Sequence, residues 1–517
     1  MPRFAGRRGR ATPRIAGLVL AGLVGACGNR TAPPPVAAPG PLTLAVDATD
    51  VGRKLYKVHE TVPATPGAMT LVYPKWLPGE HGPTGPITDL VGLSFSVGGK
   101  PIGWQRDPVD MYAFHVDVPA GAAVVDVAFE FLSAATTSGF SSAASATPHL
   151  AVVTWNQLLL YPEGSNTDQI NIQASLTLPA AWQFGTALET LGEKPPPGAD
   201  IRFQPVSVTT LVDSPVIAGE FFREIPLDQS DRPVFLDVAA DSAQALTMSP
   251  ALTDKVKRLV VEADSLFGAR HFDRYHFLLS LSDHVAHFGL EHHQSNDSRV
   301  YEHAFLDESP RLGVLAHEFV HSWNGKFRRP SGLATQNFQD PMRGDLLWVY
   351  EGLTQYLGYV LAVRSGIWTE QYYRERLAAI AASLDHTSGR DWRPLADTAV
   401  AAQLLYAAPA EWAALRRGTD FYDEGWLLWL DVDTQIRQLT GGQKSIDDFC
   451  RRFHGGASGS PAVSPYTLDD VVAALNQIAP TDWKAFLQAR VAAVTPHPPL
   501  DGLDRGGWRL VYNETRN

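Results

Sequence analysis

The sequence predicts an α+β protein, with a β-sandwich-like N-terminal domain over residues 42–245 and a mainly helical domain over 246–500. Three observations predict it. Apolar residues alternate in the first half, as in Tyr112, Phe114, Val116 and Val118, and in Val125, Val127, Phe129 and Phe131, the period of half-buried strands. From Ser249 onward they recur at helical spacing, first over Leu252 to Phe267. A chain of 517 residues, 45 % apolar and 19 % charged, is long enough to bury more than one core.

The chain opens on a targeting segment. Arg3, Arg7, Arg8, Arg10 and Arg14 precede the apolar run Ile15 to Ala26. Leu23-Val24-Gly25-Ala26-Cys27 resembles a bacterial lipobox, so residues 1–26 read as a lipoprotein signal peptide and Cys27 as the lipidated N-terminus. The alternative is a plain secretory signal cut near Ala26. Gly28 stands where an aspartate would argue against outer-membrane sorting. The expected location is the periplasmic side of the outer membrane, with the lipid on Cys27 as the membrane contact. Residues 27–41 form a proline-rich tether. With Cys27 acylated, Cys450 has no partner for a disulfide and reads as a core thiol. Net charge is −12 with no basic block beyond the N-terminus, which excludes nucleic acid as an expected partner.

Within the β domain, Gly98-Gly99 between Leu93–Val97 and Lys100–Ile102 signals a hairpin, and Ile172, Ala174, Leu176 and Leu178 mark a further strand. In the helical domain, Ser309-Pro310 is a helix start and Asn324-Gly325 a stop. Between them lies His317-Glu318-Phe319-Val320-His321. Two imidazoles four residues apart share a helix face and can hold one metal, with Glu318 beside it as a general base. The alternative is a pair of hydrogen-bonded histidines on a buried helix. A third ligand is needed. Glu351 sits among Leu347, Trp348, Leu353 and Tyr356 on a helix expected to be amphipathic, capped by Asp345 and stopped at Ser365-Gly366. A carboxylate buried there needs a partner. Asp340, in a loop, is the rival.

Those residues carry a resemblance. His317-Glu318-Phe319-Val320-His321-Ser322-Trp323-Asn324 and Leu347-Trp348-Val349-Tyr350-Glu351-Gly352 resemble the M61 metallopeptidases, the glycyl aminopeptidase family of gluzincin type. The resemblance implies a thermolysin-like catalytic domain and one zinc per chain. It favours Glu351 over Asp340 as third ligand with His317 and His321. Trp76-Leu77-Pro78-Gly79 is similar to a signature near the start of such proteins. Gly289-Leu290-Glu291 is similar to the family's substrate strand, whose glutamate binds the substrate amine; Phe288 departs from the usual glycine. Tyr422 corresponds to the tyrosine that stabilises the oxyanion, and Glu424 replaces a usual lysine. His284, His287, His292 and His293 are expected in a polar surface loop. Helices are expected over Glu370 to Leu384, from Asp420 to Gly441-Gly442, and from N-caps at Ser445, Thr467 and Thr481. Residues 501–517 are a C-terminal tail.

The expectation is therefore a zinc aminopeptidase acting on peptides with a free N-terminus, releasing small residues such as glycine or alanine. The rivals are a zinc endopeptidase and a catalytically silent peptide-binding lipoprotein. Glu318 argues against the latter, because a site kept only for binding needs no base.

Overall fold

Strands dominate as far as Ala240 and helices follow from Pro250 in the computed structural model, which describes residues 40–513. The signal peptide, Cys27 and most of the tether lie outside the described residues. None of the described helices is long and apolar enough to cross a membrane.

Two sheets share the N-terminal core. The larger has eight strands, with Leu42–Asp47 parallel to Asn171–Thr177 and antiparallel to Leu55–Pro63. The smaller has four, centred on Gly67–Val72 and Ala113–Val118. The predicted alternation holds: Phe114, Val116 and Val118, and Val125, Val127, Phe129 and Phe131, all point into one core. Gly98 and Gly99 make the expected hairpin turn, both at positive φ, with Val97 paired to Lys100. A three-stranded sheet (Gln183–Thr186, Val216–Gly219, Leu150–Val153) packs on this core through Ala151, Val153, Val216 and Ala218. Its Leu150, Val152 and Ile217 pack on Ala239 and Leu278 of a five-stranded sheet.

That five-stranded sheet frames the site. Its order is Phe221–Pro226, Val234–Ala240, Tyr275–Leu281, Ser295–Val300, Gly289–Glu291. The first two strands precede residue 245 in sequence, yet their hydrogen bonds go to the sheet beside the helix that carries His317 and His321. Gly289–Glu291 is one edge strand and pairs only with Ser295–Val300.

The helices start largely where capping chemistry puts them. Ser249 caps Pro250–Phe267, and Ser445 and Thr467 form capping boxes. Four expectations are corrected. Ser309 caps a 3-10 turn, Pro310–Gly313, and the α-helix is the short Val314–His321, ending before Asn324. The helix Leu347–Ser365 is preceded by Leu346, with no side-chain cap from Asp345. It is also buried nearly all round rather than amphipathic, because Val314–His321, Asp423–Leu439 and Pro250–Phe267 all pack on it. Near the C-terminus, Asp482 rather than Thr481 caps Trp483–Val491. Cys450 is fully buried, and burial pushes its thiol well above the ordinary range.

Candidate metallopeptidase site

The two ligand helices meet through Asn324. Its amide donates to the backbone oxygens of Val349 and Tyr350, both at 3.0 Å, and to Thr354 Oγ1. Glu351, one turn into its helix, thereby faces His317 and His321. His321 Nε2 lies 3.2 Å from Glu351 Oε2 and 3.2 Å from His317 Nε2, and His317 Nε2 lies 3.6 Å from Glu351 Oε2.

Those separations fit a metal. Ligands about 2.0–2.1 Å from a tetrahedral ion lie roughly 3.3 Å from one another. His321 Nδ1 donates to the Asn324 carbonyl at 3.0 Å, which turns the lone pair of Nε2 toward the cluster. Glu351 Oε2 is buried and without a hydrogen-bond partner. Two imidazole nitrogens and a carboxylate oxygen converging in a buried space need a proton or a cation between them, and a single metal ion would meet all three at once. Glu291, Glu318 and His321 form a second convergent trio, but it offers one nitrogen, where the first offers two. Asp340 is exposed and belongs to neither.

Charge follows this geometry. Burial would raise the Glu351 carboxyl, but His321, His317 and His81 outweigh it and hold it well below the usual range. Burial raises Glu318 to about 8, opposed by His317 and assisted by the negative Glu291 and Glu351. Glu318 also abuts the outer strand. A Cβ at Gly289 would stand 2.1 Å from Glu318 Oε1, so only glycine fits there.

Glu291 is 3 % exposed and accepts a hydrogen bond from Tyr350 Oη. Burial opposes its ionisation, yet His321 and Lys326 hold its carboxyl below the ordinary value. Leu290, its neighbour, points away into a separate cavity behind the strand. Tyr422 lies 2.5 Å, oxygen to oxygen, from Tyr406, and burial keeps its phenol neutral far above neutral pH. Phe288 packs tilted against Phe140, ring centroids 4.9 Å apart, under the Arg299 guanidinium.

One cavity of about 550 Å³ joins these groups, lined among others by Phe288, Gly289, Glu291, His317, Glu318, His321, Glu351 and Tyr422. Glu424 is not in its wall. It is buried in a triad with Arg390 and Arg417, which explains how a carboxylate replaces the expected lysine. His292 and His293 are buried, correcting the surface-loop expectation: Asp213 bonds the His292 ring at 3.2 Å and the His293 amide at 2.8 Å. Sequence reasoning missed His81, Tyr350 and Tyr406. Tyr350 had a signal, lying beside Glu351 in the same motif. Tyr406 follows the short helix Ala402–Leu405 in an alanine- and leucine-rich connection and had none.

Fold and site together define a peptidase of the gluzincin class. A profile for the M61 glycyl aminopeptidase matches residues 311–428, and one for the peptidase M61 N-terminal domain matches residues 43–220. The chain belongs to the M61 glycyl aminopeptidase family. No curated protein matches it. Among solved structures it is similar to an aminopeptidase N family protein from Idiomarina loihiensis, at TM-score 0.74 and 19 % identity over 90 % of this chain and 78 % of that one. It is also similar to an M1 zinc metallopeptidase variant from Deinococcus radiodurans bound to a Tyr-Ser-Ala substrate, at TM-score 0.51 and 15 % identity over 89 % and 95 %. At these identities the likeness is one of fold.

Proposed function

We propose that the protein is a zinc aminopeptidase that removes single small residues, glycine or alanine, from peptides with a free N-terminus. The observation that carries this is the buried, ionised Glu291 on an outermost strand, in the same cavity as His317, His321 and Glu351. An unpaired strand edge receives an extended peptide through backbone hydrogen bonds. A carboxylate at its end suits the peptide's ammonium group. Anchoring that group puts the first peptide bond, rather than a later one, over the metal ligands.

Zinc bound by His317, His321 and Glu351, one ion per chain, would supply Lewis-acid polarisation and acidify water. Glu318 takes the proton from the attacking water and returns it to the leaving amine. Tyr422, kept neutral, donates its O–H to the developing oxyanion. Phe288 and Phe140 narrow the cavity beside Gly289, which favours a small first side chain. The Tyr-Ser-Ala substrate bound by the Deinococcus radiodurans enzyme supports a peptide substrate. A panel of aminoacyl and N-blocked peptides tests the reading: glycyl and alanyl substrates with free amines should be cut fastest, and equal cleavage of N-acetylated peptides would refute it.

The lipobox supports attachment through Cys27 to the periplasmic face of the outer membrane. Stable anchoring needs more than one acyl chain, so Cys27→Ser should move the protein to the soluble fraction. Undiminished pelleting with membranes would refute the anchor.

A further inference from the structure

The loop after Trp76 belongs to the N-terminal domain, about 240 positions before the metal motif in sequence, yet it ends inside the site. Trp76 is buried, and its backbone N–H donates to Phe338 O at 2.8 Å. Gly79 follows at φ 89°; a Cβ there would lie 2.8 Å from Glu291 Oε2, so the chain passes directly against that carboxylate. Glu80 turns away and accepts from Ser141 Oγ. His81 then takes the left-handed conformation, φ 53°, uncommon for a residue with a side chain and more often adopted by Asn, Asp and His. That turn sends its ring into the catalytic domain. There it sits edge-on to Tyr350 at 5.5 Å and within 6.5 Å of the rings of Tyr406 and Phe421.

The ring is 2 % exposed at the side chain, and its Nε2 bonds Glu351 Oε1. An ionised carboxylate only accepts, so Nε2 carries the hydrogen. Nδ1 is buried and has no partner. The arrangement divides the Glu351 carboxylate: Oε1 is held by His81, while Oε2 faces His317 and His321.

We infer that His81 is a positioning residue, which holds one oxygen of Glu351 from across the domain boundary so that the other is aimed at the metal. The inference rests on the metal reading of His317, His321 and Glu351. It makes the Trp76–Gly79 signature part of the site, because that loop both walls Glu291 and delivers His81. Groups that orient a ligand in this way usually contribute about ten- to a hundred-fold in metal affinity.

The test is zinc affinity of the full chain, measured by competition with a chelator, for wild type, His81→Leu and His81→Gln. Leucine and glutamine are close in size, but only glutamine can donate to Glu351 Oε1. His81→Leu should bind zinc about ten- to a hundred-fold more weakly, and His81→Gln should recover most of that loss. Metal-free His81→Leu should remain folded, as its melting temperature checks, although Glu351 Oε1 loses its donor. If His81→Leu keeps wild-type affinity, or His81→Gln is as weak as His81→Leu, the positioning role is wrong while the metal site stands. If wild type binds no zinc, or Glu351→Ala binds as tightly as wild type, the metal reading and this inference fall together.

Discussion

Replacing Glu291 by glutamine removes one charge and little else. The side chain keeps its length, and its amide oxygen can still accept from Tyr350 Oη. An ammonium group about 4 Å from a carboxylate gains roughly 4 kcal/mol at an effective dielectric constant near 20. Glutamine would recover part of this as a neutral hydrogen bond. Losing one partner of a buried charge pair costs about 2–5 kcal/mol, so a loss of about 2–4 kcal/mol in transition-state binding is expected. That corresponds to roughly a thirty- to several-hundred-fold fall in kcat/KM for glycyl and alanyl substrates. Initial rates should be taken on matched free-amine and N-acetylated peptides. Metal content should be measured in parallel, because Glu291 also lies in a convergent trio with Glu318 and His321. Slow cleavage of the acetylated peptides should hardly change. The reasoning fails if Glu291→Gln depresses both substrate classes equally, or if it loses its metal.

Glu318→Gln should retain metal but lose about 10²–10⁴-fold in turnover, while His321→Ala should lose metal and activity together; elemental analysis of both variants separates the two outcomes. Glu424→Lys, which introduces the lysine that the family resemblance implies, should destabilise the protein by several kcal/mol, about 3–5 being usual when a buried ion pair is broken, because it sets a third cation against Arg390 and Arg417; an unchanged melting temperature would contradict the triad. Burial, with Arg328 adding, lowers the His454 imidazole to about 3. The unfolded chain therefore binds a proton that the folded chain refuses, so stability is full above about 6.5 and declines as pH falls toward 3, by up to about 1.4 kcal/mol per unit from this group. Denaturation curves between pH 7 and 4.5 should show a shallower slope for His454→Gln, and identical slopes would refute the assignment.

The metal-binding motif was legible in the sequence because its chemistry is local. His317, Glu318 and His321 lie within one turn and a half of helix, and helical spacing alone puts the histidines on one face. The alternating strands were legible for the same reason, since a period of two is a local record of which side is buried. Glu351 was singled out as a carboxylate amid apolar neighbours, although its choice over Asp340 rested on resemblance. Tertiary structure decided what distance in sequence conceals. His81 reaches Glu351 over 270 positions, and no periodicity or spacing encodes that contact. Glu424 could be recognised as a departure from the family pattern, but only packing shows it neutralised by Arg390 and Arg417, outside the cavity wall. Asp345 looked like a cap and His292 and His293 looked like surface residues. Whether a polar group caps, solvates or is buried depends on which distant element covers it, and three-dimensional packing alone supplies that cover.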